Sequence, residues 1–192
     1  MTPSRLRLIS MAAIVAEAGL VSLAWSQTWY LFRLSGAEYP VGGEVAGGAL
    51  LPLALASLAL VLALTLAGPF FRVVLGVLDA LVGVCVVVVA AWSLSDPVRA
   101  SIPVLVDATG FTADEQAYLD EIASTVTTAW PYVGLAAGIL MVLTGLFIAV
   151  TARAWPVSGR KYSRLRVETL DGDPVTDWDA LSEGDDPTAA PR

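Results

Sequence analysis

The sequence predicts an all-α fold: an integral membrane bundle of four transmembrane helices. Three observations carry that expectation. Four apolar stretches approach or exceed the roughly 20 helical residues that cross a hydrocarbon core about 30 Å thick. Each is apolar around its whole circumference rather than along one stripe. The 192 residues are 56% hydrophobic and 15% charged, with mean hydropathy +0.71, whereas about a quarter of a soluble domain is charged.

The first span covers about 8–25, "LISMAAIVAEAGLVSLAW". Arg5 and Arg7 precede it as they would a signal peptide. The apolar run exceeds an h-region, Glu17 interrupts it and no clear A-x-A site follows, so a retained span is expected. An outer loop, about 26–45, leads to the second span at about 46–67, where Pro52 lies inside the first two turns and predicts a slight bend. "AGPF" leaves almost no loop before the third span, about 70–92, so these two helices should be antiparallel neighbours. In the second outer loop, about 93–129, Thr112 stands three residues before Glu115 in a capping-box pattern. Tyr118, Ile122 and Val126 then recur every fourth position, which predicts a short extracytoplasmic amphipathic helix. The fourth span covers about 131–152, and Pro69 and Pro131 sit near helix starts, where a missing N–H costs little. The chain thus divides into a transmembrane domain, 1–152, and a tail, 153–192.

Lysine and arginine set the orientation. Arg5, Arg7, Arg72, Arg153, Arg160, Lys161, Arg164 and Arg166 fall on one side, and Arg33 and Arg99 on the other. Both termini are therefore expected in the cytoplasm of a multi-pass protein. Trp25, Trp29, Trp92 and Trp130 mark the outer interface and Trp155 the inner one. The outer loops carry eight acids, among them Glu38, Glu44 and Asp96, which read as a solvated face.

Catalysis has little to build on. The chain has no histidine, and its one cysteine, Cys85, lies among valines. There is no nucleophile elbow or phosphate-cradling loop. Asp171, Asp173, Asp177 and Asp179 lack the glycine and terminal glutamate of a calcium loop. No enzyme activity, cofactor or metal is expected. No basic face with interleaved aromatics exists, so nucleic acid is not an expected partner. The sharpest features in the spans are Glu17 and Asp79, with Arg72 seven residues before Asp79 on almost the same helix face. A carboxylate near the bilayer centre costs about 2.5–3.5 kcal/mol or more, so it normally faces the bundle interior. The pair reads either as a proton or cation relay or as polar glue between helices. Gly134-x-x-x-Gly138, and Gly76 with Gly83, fit close helix packing.

The tail is basic at first, "RAWPVSGRKYSRLR", and should lie on anionic headgroups. From Glu168 it turns acidic and is expected to be disordered, apart from a short helix "WDALS" that places Trp178 and Leu181 on one face. Two apolar anchors framed by acids suit a groove with a basic rim. The stretch Trp178–Thr188, "WDALSEGDDPT", resembles the C-terminal signature of the tryptophan-biosynthesis-associated membrane proteins of actinobacteria. "GPFFR" at 68–72 and "RKY" after the fourth span fit the same family. The resemblance implies a bacterial inner (plasma) membrane protein linked to tryptophan metabolism and implies no catalytic residues.

The expected function is non-enzymatic: a membrane anchor or regulatory scaffold whose tail recruits a cytoplasmic protein. Trp178, Asp179, Leu181, Asp185, Asp186, Pro187 and Thr188 are the candidate docking residues. The alternative is a small exporter or transporter of an aromatic amino acid or precursor, using Glu17 and Asp79. It would need a homo-oligomer, since four spans are few for a monomeric carrier. The lipid bilayer is the one partner common to both readings.

Overall fold

The fold is that of a computed structural model, which describes residues 3–34, 36–109 and 122–155. The described residues all lie in the compact unit Met1–Pro156. They form a mostly helical bundle with a small sheet at one end. Helix α1 spans Pro3–Trp25, and the hairpin β1 (Thr28–Leu34) and β2 (Ala37–Gly42) follows it. Next come the one-turn α2 (Gly43–Ala46), α3 (Leu50–Leu66), α4 (Pro69–Ser95) and α5 (Pro97–Thr109). Strand β3 (Ile122–Thr127) and α6 (Trp130–Thr151) complete the described chain, with a 3-10 turn at Ala152–Ala154.

Among the described residues, three helices are long and apolar enough to cross a membrane: Arg5–Trp25 within α1, Pro69–Ser95 and Trp130–Thr151. The second expected span is shorter than the sequence suggests. The 17 residues of α3 reach only about 25 Å at 1.5 Å per residue. Gly47 closes α2, its N–H donating to the Gly43 carbonyl at 2.8 Å, and α3 restarts at Leu50. Pro52 explains the restart. In a helix begun at 46 its ring would clash with the carbonyl four residues back. As third residue of α3 it removes an N–H that has no intrahelical acceptor anyway.

The expectation of an all-α chain is corrected by a three-stranded antiparallel sheet, ordered β2-β1-β3. In "TWYLFRL" aromatic and branched residues suit a pleated surface, and Trp29, Tyr30, Phe32 and Leu34 are buried. Gly36 turns the hairpin at φ +84°, open to glycine at no steric cost. Arg33 and Glu38 face each other across it as an exposed ion pair.

The C-terminal part of the expected amphipathic helix, 122–126, is strand β3, paired with β1; 112–121 lies outside the described residues. Positions 118, 122 and 126 share a face in a strand as well as a helix, because four is a multiple of two. The unpaired edge of β1 decides in favour of the strand. Among the described residues of this loop the helix is α5, started by Asp96, whose Oδ1 accepts the Arg99 N–H at 3.0 Å, with Pro97 at its first position.

Candidate functional site

The sheet closes one end of the bundle. Trp29 Nε1 donates to the Ala24 carbonyl at 2.8 Å, and Tyr30 Oη donates to the Ser93 carbonyl at 2.8 Å. These bonds tie β1 to the ends of α1 and α4. At the opposite end Arg7 donates to the Thr65 carbonyl at 2.9 Å, and the buried Arg72 guanidinium lies 5.9 Å from the centre of the Trp155 ring.

Between the ends, α4 and α6 touch backbone to backbone. A Cβ added at Gly76 would lie 2.8 Å from the Ala149 nitrogen, and one at Gly83 2.7 Å from that of Val142. From α6, Gly138 faces Val86 and Val87, and Gly145 faces the backbone of Ala80 and Gly76. The seam is thus Gly76 and Gly83 against Gly138 and Gly145. Gly134, the other half of the expected GxxxG pair, turns away; a Cβ there would meet nothing nearer than 3.7 Å.

This close approach places a polar layer inside the bundle. Asp79 lies one residue before Ala80 of the seam and is fully buried, and Glu17 on α1 is 6% exposed. Ser57 on α3 donates to Asp79 Oδ1 at 2.7 Å, and Thr144 on α6 donates to Glu17 Oε1 at 2.7 Å. Four helices each supply one polar side chain, and the two carboxyls lie at one depth, because Gly145 beside Thr144 meets Ala80 beside Asp79. Glu17 Oε2 and Asp79 Oδ2 are buried without a hydrogen-bond partner among the described residues. The layer separates two apolar clusters. Ala18, Ala54, Val86 and Met141 belong to the larger one, while Ile14, Leu64 and Ile148 belong to the smaller.

Of the residues singled out in the sequence, Glu17 and Asp79 are brought together. Arg72 sits at the bundle end, and Asp79 takes its hydrogen bond from Ser57. The tail candidates Trp178, Asp179, Leu181, Asp185, Asp186, Pro187 and Thr188 lie outside the described residues. Ser57 and Thr144 were missed; the available signal was a hydroxyl at mid-span, which many spans carry. Cys85 is exposed on the outside of α4 among Leu81, Val84 and Val88.

Long helices with leucine, valine and phenylalanine outermost and carboxyls innermost define a class, the helical membrane proteins. The outward apolar side chains need lipid around them, and the inward acids need the bundle. Within that class the chain belongs to the family of tryptophan-associated transmembrane proteins, whose family model matches residues 11–188. No curated protein and no solved structure matches the chain.

Proposed function

We propose that the protein is a non-enzymatic scaffold of the plasma membrane. In this reading it crosses the bilayer four times, keeps both termini in the cytoplasm and recruits a protein partner connected with tryptophan metabolism through its tail. The observation that carries the proposal is the extent of the family match. It runs through the bundle and on to residue 188, the last of "WDALSEGDDPT". A tail that only solubilises needs acidity and low hydrophobicity, not a shared pattern of side chains. Trp178 and Leu181 supply apolar anchors, and Asp177, Asp179 and Glu183 frame them with charge. The basic step before them holds the tail near anionic headgroups, worth about 1 kcal/mol per charge at the surface. The fourth crossing is assigned to α3, whose shortfall in length costs fractions of a kcal/mol per Å through local thinning of the bilayer.

The carrier alternative has less behind it. Clefts of about 250 and about 310 Å³ beside the helices are lined mainly by apolar side chains, which suit lipid tails better than the charged ends of an amino acid.

Photo-crosslinking in cells tests the proposal. A photoreactive residue at Asp179 of the full chain should capture one protein of defined mass. Trp178→Ala should abolish that product while leaving the amount of protein in the membrane unchanged. Crosslinks that are diffuse, or indifferent to Trp178→Ala, would sink the scaffold reading.

A further inference from the structure

The polar layer is not a finished lock. A structural network buried in hydrocarbon is expected to satisfy its polar atoms, because an orphaned one forfeits its desolvation without return. Here each carboxyl has one oxygen held by a hydroxyl and a second, buried oxygen with no partner among the described residues. A third orphan points the same way. Ser10 Oγ is buried and unpartnered, seven residues before Glu17, and so on nearly the same face of α1. Ser10 and Thr144 both line the cleft of about 310 Å³ between α1 and α6. Thr144 is also the residue whose hydroxyl holds Glu17. Thr144 therefore stands between this mainly apolar cleft and the Glu17 carboxyl.

We propose that Glu17 and Asp79 form a binding site for exchangeable monovalent cations, protons or a sodium ion, reached past Ser10 and Thr144. Two anionic carboxylates at one depth in hydrocarbon lose hydration and repel, and bound positive charge removes both penalties. The four packed helices supply little of that charge themselves. Their described charged side chains are Arg5, Arg7 and Glu17 on α1 and Arg72 and Asp79 on α4; α3 and α6 carry none. Tyr132 and Cys85, the remaining titratable groups, are exposed on α6 and α4. The arginines gather at one end, where Arg72 lies seven residues, or about 10 Å of helix, from Asp79. The donor set is all oxygen, two carboxyls and two hydroxyls, which suits a hard cation. A divalent ion takes six or more oxygens, and no cluster of three metal-binding side chains occurs among the described residues. This site is independent of the tail and stands or falls apart from the scaffold proposal.

The test uses the full-length protein in native membranes and dicyclohexylcarbodiimide, an apolar reagent that modifies protonated carboxyls. Adducts are located by peptide mass spectrometry. At mildly acidic pH Glu17, Asp79 or both should be modified. If protons are the ligand, modification should fall about tenfold per pH unit above its midpoint, as for any titrating acid. If sodium also binds, sodium chloride at fixed pH and ionic strength should protect the residue where choline chloride does not. Glu17→Gln should move the midpoint of the Asp79 adduct and, where sodium binds, weaken sodium's protection of Asp79, the second of which a purely structural role leaves fixed. Should that variant fail to insert, the wild-type pH and sodium series decides alone. Absence of both adducts at acidic pH, or modification indifferent to both pH and sodium, would overturn the proposal.

Discussion

Ser57 and Thr144 do for the two acids what water would do outside the membrane. Each hydroxyl stabilises a carboxyl on another helix, so each bond is also a tertiary contact. Interhelical hydrogen bonds in bilayers are worth about 0.6 kcal/mol on average and up to about 2. Ser57→Ala and Thr144→Val should each lower stability by about 1 kcal/mol, measured by reversible unfolding in mixed detergent. Tyr30 makes a different kind of contact, at the sheet end. Burial pushes its phenol above the ordinary tyrosine value, the Ser93 hydrogen bond opposes that, and Tyr132 adds to it. A raised folded-state value means the folded protein holds the proton longer than the unfolded chain. Stability from this group is then complete below about pH 10 and declines as pH rises beyond it. Tyr30→Phe should remove that alkaline decline and cost about 1 kcal/mol at neutral pH, read from unfolding curves at several pH values. Glu17 and Asp79 were legible in the sequence because a charge inside an apolar run is conspicuous. Their hydroxyl partners were not, since serine and threonine are ordinary in spans and only the facing helix gives them a role.

At the scale of elements, the α4–α6 seam is the firmest packing in the bundle. Sequence spacing alone ranks Gly134 with Gly138, yet the structure separates them. Gly145→Ala or Gly83→Ala should destabilise by about 1–3 kcal/mol, because the new methyl meets backbone that cannot swing aside. Gly134→Ala should change stability by less than about 0.5 kcal/mol, having ordinary contact distances around it. Thermal denaturation of the three variants side by side would check the contrast; equal losses at Gly134 and Gly145 would contradict the seam. Apolar length and prolines located α1, α4 and α6 to within a few residues. The hairpin escaped because "TWYLFRL" follows a span and reads as more apolar sequence, and β3 because its spacing fits helix and strand alike. Pairing between segments far apart in sequence settled both.

For the whole molecule, the arginine end and the sheet end are the two poles; lysine and arginine decide which pole faces the cytoplasm, and the number of crossings decides whether the two termini share a side. With Cys85→Ser as background, Glu38→Cys in the exposed hairpin should react with an impermeant maleimide in intact cells. Gly68→Cys, in the turn between α3 and α4 where a side chain has open space, should react only after permeabilisation. Reaction of both in intact cells would mean that α3 does not cross. The sequence by itself determined that this chain lives in lipid, where its long helices lie and that two acids must hide among them. Those follow from local composition, because transfer of apolar surface into lipid and the cost of an unshielded charge need no knowledge of neighbours. The tertiary structure alone decided which hydroxyls hold Glu17 and Asp79, which glycines touch, and that the loops meet as a sheet. Those depend on which faces and edges come together, and local composition does not encode a partner's position.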